Sequence, residues 1–249
     1  MQKEQLPVYR PGDVIGELSE LWRYPVKSML GERCDELAIE ARGAVGDRLF
    51  AVRDAEGKLG SGKNTRRFRK IDGLLSFQAR YRAERLEVVF PDGATWMADD
   101  PAIHAALSEA LGQPVTLARE AAVSHLDAEP LHLLSSASLG WLQAALPGAS
   151  VDARRFRPNL VISTAGELPP EQGWLGKRLR LGQEVEIKVS TSTERCGMVA
   201  FAQRALPEEP QILRHIAQAA GLLFGVYAEV IVPGTVRLHD PVTVIEEKS

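Results

Sequence analysis

Apolar positions in this chain recur mostly with a period of two over short runs, the pattern of half-buried strands. One run, residues 17–22, leads into Tyr24-Pro25, where proline ends regular pairing. Arg48-Leu49-Phe50-Ala51-Val52-Arg53 predicts a second strand, closed by the turn-rich tetrad Asp54-Ala55-Glu56-Gly57. Residues 74–81 and 85–90 predict a hairpin pair, followed by the turn Pro91-Asp92-Gly93. Further strands are predicted over 159–163, 178–181, 185–190, 227–232 and 242–245, with Pro233-Gly234 as the turn between the last two.

Three segments change to helical spacing. Residues 100–111 carry Pro101 near the start and Gly112 past the end. Residues 136–146 begin at a serine cap and end at Pro147-Gly148. Residues 209–221 are amphipathic, with Pro210 in the first turn and Ile212, Ile216 and Ala219 on one face. Many short strands and few helices favour closed β architecture, because closure removes exposed edges. The expectation is therefore a mostly β (α+β) chain with two β-barrel-like lobes and a few peripheral helices. The helix over 100–111 marks the boundary between the lobes. No internal repeat or low-complexity segment is evident.

Composition narrows the function classes. At 249 residues, 45% hydrophobic and 25% charged, the chain can build one large domain or two small ones. A formal net charge of -3 gives no bulk attraction to nucleic acid or to an anionic membrane. The two cysteines, Cys34 and Cys196, cannot make a disulfide framework, and their spacing fits no zinc site. A reducing cytoplasm suits them. Residues 1–16 lack the apolar centre of a signal peptide, and no run of 18 apolar residues is present. Both ends read as solvated tails.

Four segments carry candidate chemistry. Tyr24-Pro25-Val26-Lys27-Ser28 offers a cation, a hydroxyl and backbone N–H groups to an anion, unless it is only a strand end with a solvated lysine. Gly46-Asp47-Arg48 combines a permissive glycine with a guanidinium suited to phosphate, or else a surface ion pair. Residues 61–70 hold five basic side chains, Lys63 among them, around a glycine. They suit phosphate groups. They do not fit the Walker spacing, and they lack the aromatic platform of a single-strand binder. The last segment joins Arg154-Arg155-Phe156-Arg157-Pro158-Asn159 with Thr193-Glu194-Arg195-Cys196-Gly197. If extended, the first part puts Arg155 and Arg157 on one face and Arg154 on the other. Buried arginines need an anion. The cation of Arg195 favours the thiolate of Cys196, a soft ligand for a high-valent metal. A lone cysteine is otherwise a small buried hydrophobe.

In this order the segments resemble the MOSC-domain family with its N-terminal β-barrel extension, which includes the amidoxime-reducing components. The resemblance rests on residues 24–28, 46–48, 156–159 and 195–196, and on the closing runs 225–229, 233–236 and 240–242. It implies an N-terminal barrel domain over 17–98 and a MOSC domain over 99–249. It also implies a molybdenum cofactor (Mo-molybdopterin), with no need for pyridoxal phosphate. Cys196 would be the metal's thiolate ligand and the catalytic residue. Lys27, Ser28 and Arg48 would contact pterin and phosphate, with Lys63, Arg157, Asn159 and Arg195 nearby. The activity implied is reduction of N-hydroxylated or N-oxide compounds by oxygen-atom transfer. Electrons would come from a separate flavin or iron–sulfur protein, since no cysteine cluster is present for a fused iron–sulfur domain. Partners of the nucleic-acid or membrane kind are not implied. A second possibility is a carrier that holds persulfide sulfur on Cys196, or the cofactor itself, without turnover. One departure stands out: relatives follow Arg-Cys with an apolar pair and two threonines, whereas this chain reads Gly197-Met198-Val199-Ala200-Phe201.

Overall fold

The computed structural model describes residues 7–246; the outermost parts of the two polar tails lie outside the described residues. Seven strands close a barrel. Around the ring they are Leu160–Ser163, Leu131–Ser135, Leu223–Val232, Val185–Glu194, Arg178–Leu181, Pro241–Ile245 and Val14–Arg23, the last pairing back onto the first. All neighbours are antiparallel except Leu131–Ser135 with Leu160–Ser163. The interior is filled by alternate aliphatic side chains such as Leu133, Ile162, Leu179, Ile187, Val226 and Val244.

The strand Val14–Arg23 shows how sequence and closure interact. Strict alternation would put Ile15 and Leu18 on opposite faces, yet Ile15, Leu18 and Leu21 are all buried. Register shifts between Val14 and Gly16 and between Leu18 and Glu20 add residues to this strand, turning each third position inward. Gly16 belongs to the same feature: a Cβ there would lie 2.1 Å from the Ser163 carbonyl oxygen.

The second lobe faces two small sheets across a separate core. One holds Val115–Arg119, Phe50–Asp54, Leu59–Ser61 and Phe68–Lys70; the other holds Thr95–Met97, Arg85–Val89 and Gln78–Arg82. Helix α1 (Ile103–Leu111) ends on Gly112 in the left-handed region, and its Ile103 and Leu107 pack in this second core with Val115 and Leu117. A third cluster lies under helices α2 (Ser136–Ala145) and α3 (Pro210–Ala220), and includes Leu134, Phe156, Val199 and Phe224. The mostly β class and the barrel-like lobes thus stand as the sequence predicted.

Several local expectations need correction. Arg48 does not open a strand: it sits in a turn at φ 48°, and pairing begins at Phe50. Residues 154–159 are not extended. Asp152 accepts a hydrogen bond from Arg154 N at 2.9 Å and starts a 3-10 turn over Ala153–Arg155, Arg157 is left-handed, and the strand begins at Leu160. Arg154, Arg155 and Arg157 therefore do not alternate between two faces of a strand. Leu74–Ser76 is a 3-10 turn, and the strand before Cys196 runs on to Glu194. Ala219 is exposed, with Ala220 on the packed face of α3. Gly234 opens a strand, Gly234–Arg237, which pairs with Glu36–Glu40 and caps the barrel.

Candidate functional site

The chain passes repeatedly between the barrel core and the second core, and these crossings build one cavity. Leu21 is in the first core, while Val26 and Met29 are in the second; Lys27 and Ser28 lie between those two, just past the crossing. Ala44 packs in the first and Val52 in the second, with Arg48 between. Leu117 belongs to the second and Leu131 to the first, and the intervening loop brings Leu126, Asp127 and Glu129 to the cavity wall. The barrel side contributes Arg157 and Asn159 just before Leu160–Ser163, and Arg195 and Cys196 just after Val185–Glu194. All eight residues singled out from the sequence line this cavity of about 200 Å³.

Their environments differ. Lys27 is buried at 3% exposure, donating to the His125 carbonyl at 3.0 Å and to Asp127 Oδ1 at 2.5 Å. Burial lowers its pKa, with Asp127 opposing. Ser28, left-handed at φ 64°, donates to the Gly60 carbonyl at 3.1 Å. Arg48 pairs with Asp47 and donates to the Arg157 carbonyl at 3.1 Å. Arg157, at φ 55°, stacks 4.2 Å from the Tyr24 ring centroid and donates to the Met29 carbonyl. Its Nη2 is buried without a partner, and burial together with Arg48 pulls its pKa down to about 10.

These features test the site for an anionic group, and they fit. Three non-glycine residues in the left-handed region, Ser28, Arg48 and Arg157, face one cavity. Such conformations are costly and persist where the surroundings enforce them, most often at functional sites. Burial disfavours the charges of Lys27 and Arg157, whereas Asp47 holds that of Arg48, so an anion entering the cavity would be favoured most beside Lys27 and Arg157.

Asn159 and Arg195 have their polar atoms tied to the frame. Asn159 accepts from His132 N at 3.2 Å and donates to the Trp22 carbonyl at 3.3 Å. Arg195 donates to the carbonyls of Phe224 at 2.7 Å and Phe156 at 3.1 Å and meets the His132 ring. Burial brings the pKa of Arg195 to about 10 and that of His132 far below its ordinary value. Cys196 is an exposed free thiol, and it starts the 3-10 turn Gly197–Val199, whose Val199 anchors in the third cluster. Lys63 is exposed at the rim, 5.4 Å from the Phe68 ring centroid. The rest of the basic stretch is largely tied down locally: Arg67 to the Ser124 and Leu126 carbonyls, Arg69 to Asp54 and Glu56, Lys70 to Asp72.

Sequence reading missed His132, Asp127 and Tyr227 on the cavity wall. His132 gave one faint sign, a polar residue inside the apolar run Leu131–Leu134. Asp127 lies in a loop without periodicity and gave none.

Fold and site together define a two-lobed β protein with a cation-lined seam and one exposed thiol. Two family models match it in tandem: the MOSC N-terminal beta barrel domain over residues 15–124 and the MOSC domain over residues 115–243. The chain belongs to the MOSC-domain family and carries that N-terminal barrel. It is 25% identical over 285 residues to mitochondrial amidoxime-reducing component 1 of Mus musculus, covering 92% of this chain and 82% of that protein. Its fold is similar to the crystal structure of the YUAD protein (APC1665) from Bacillus subtilis, with TM-score 0.53 and 13% identity, over 94% and 97% of the two chains.

Proposed function

We propose that this protein binds Mo-molybdopterin in the seam cavity and reduces N-hydroxylated or N-oxide compounds, taking electrons from a separate flavin or iron–sulfur protein. The observation that supports this most is the convergence of left-handed Ser28, Arg48 and Arg157 with buried Lys27 on one cavity that Cys196 borders. Similarity to an amidoxime-reducing protein points to the same substrates.

Lys27, Ser28, Arg48 and Arg157 would hold the phosphate and pterin, with Lys63 closing the rim. Asn159 and Arg195 position the wall through the backbone groups they bind. Cys196 Sγ would be the protein's ligand to the metal. Among the described residues no three His, Cys, Asp or Glu side chains are placed to hold a bare metal ion. A single thiolate suits a metal that arrives with other ligands already bound. When bound, the cofactor supplies two-electron oxygen-transfer chemistry. Converting an amidoxime to an amidine consumes two electrons and two protons and releases water. Tyr227, whose hydroxyl burial holds in the protonated form, offers a neutral donor on the same wall. A reducing cytoplasm would keep Cys34 and Cys196 as free thiols.

The exposure of Cys196 also suits the carrier reading, in which the thiol holds a persulfide sulfur. Protein made in a cofactor-producing host, supplied with reduced viologen and an amidoxime, separates the two. The reductase reading expects amidine formation that Cys196→Ala abolishes. Full activity in Cys196→Ala would sink it. Sulfane sulfur on Cys196 without turnover would establish the carrier.

A further inference from the structure

A second pocket opens beside the seam cavity and shares Ser28, Ser61 and Met198 with it. Its volume is about 400 Å³, within the range of small-molecule sites. The two surroundings contrast. The seam cavity is lined by buried cations, whereas this pocket is floored by Ile71, Leu74 and Leu75 and walled by Met198 and Phe201. Gly62 makes that wall possible: a Cβ there would stand 2.5 Å from Met198 Sδ and 2.7 Å from Phe201 Cε2. Met198 and Phe201 thus pack directly on backbone, two and five residues beyond Cys196.

Charge among the residues that line this pocket but not the seam cavity is uneven. Lys70 and Asp72 neutralise each other at 3.2 Å, while Glu208 is an exposed carboxylate that lines this pocket and not the seam cavity. We infer that this pocket holds the body of the substrate while its N-hydroxylated end enters the seam cavity. The substrate class is a flat, apolar, aromatic compound, neutral or cationic at the end remote from the N–OH. This rests on the reductase reading of the seam cavity. The apolar floor buries the ring, and Glu208 disfavours an anionic tail. Met198, Phe201 and Glu208 are the specificity-determining residues; none takes part in the reaction.

Ala202 is exposed and lines the pocket, so Ala202→Phe fills the space without disturbing a core. Saturation-transfer NMR with a neutral aromatic amidoxime detects binding whether or not turnover occurs. The expected result is loss of that signal in Ala202→Phe. In the loaded protein, KM for the same compound should rise about tenfold or more, as expected for losing a buried ring. The kcat for hydroxylamine, too small to reach the pocket, should stay unchanged. Glu208→Gln should raise KM for an ammonium-bearing aromatic amidoxime by about fivefold relative to the neutral one, an effect that added salt weakens. An unchanged NMR signal and KM in Ala202→Phe overturns the pocket assignment and leaves the cofactor cavity standing. NMR binding that Ala202→Phe removes, in a loaded protein that reduces no N-hydroxylated compound, overturns the reductase reading and the substrate assignment with it.

Discussion

Replacing Arg157 by methionine separates a ligand-holding cation from a structural one. In the folded chain its pKa is pulled well down from the ordinary guanidinium value, to about 10, by burial first and by Arg48 second. At 1.36 kcal/mol per unit, holding this charge costs the cofactor-free fold about 3 kcal/mol. The cost is present at every pH below about 10 and is relieved only as pH rises from there toward the unfolded value. Against it stand one charge-assisted hydrogen bond to the Met29 carbonyl, worth about 1.5 kcal/mol, and the contact with Tyr24, worth about 1 kcal/mol. Methionine keeps the length and the apolar stem and meets the same left-handed backbone. The sum is close to zero, so Arg157→Met should change cofactor-free stability by no more than about 1 kcal/mol, a shift in Tm of roughly 2–4 °C. Its effect on anion binding should be much larger. Loss of a charge-assisted contact of about 1.5–3 kcal/mol weakens inorganic phosphate binding roughly 10- to 100-fold. Differential scanning calorimetry and phosphate titration calorimetry on the same preparations measure both. A loss of about 3 kcal/mol or more in stability with unchanged phosphate affinity would refute the reasoning and make Arg157 part of the scaffold.

Three other perturbations probe the same frame. Gly225 is left-handed at φ 81°, and a Cβ there would meet His132 Nε2 and the Leu133 carbonyl oxygen, each at 2.7 Å; Gly225→Ala should cost about 2 kcal/mol or more in urea unfolding, and an unperturbed midpoint would contradict the packing. Ser28→Gly relieves a left-handed backbone and gives up the bond to the Gly60 carbonyl, so its stability should stay within about 1 kcal/mol while pterin retention falls; full retention would remove Ser28 from the site. His125 is fully buried, and burial and then Arg53 lower its pKa to about 4. The unfolded chain therefore binds the additional proton first, and stability should fall as pH drops from 6.5 to 4, by up to about 3 kcal/mol. His125→Gln should flatten that window, and an unchanged pH profile would rule out His125 as its source.

The chemistry of the site was more legible than its backbone. Lys27, Arg48, Arg157 and Cys196 stood out because each lies in a short motif, Tyr-Pro-Val-Lys-Ser, Gly-Asp-Arg, Phe-Arg-Pro-Asn and Arg-Cys, and the order of these motifs resembles the MOSC family. The sequence carried no sign that Arg48 and Arg157 would adopt left-handed turns, because those conformations are set by the crossings between cores and not by local preference. Strand Leu131–Ser135 escaped notice because all five of its residues are buried, leaving no alternation to read. Residues 154–157 misled by suggesting an extended run, where a single capping carboxylate, Asp152, turned the chain. The second pocket was invisible for another reason: its walls come from segments 70–76 and 198–208, joined only by the tertiary fold.

The most direct test of the central claim is metal analysis combined with fluorescence of oxidised pterin, on wild type and Cys196→Ala produced in a host that makes the cofactor. The account predicts near-stoichiometric molybdenum and pterin in the wild type, with molybdenum lost and pterin retained in Cys196→Ala. Wild-type protein without pterin, or Cys196→Ala with its full complement of molybdenum, would contradict it.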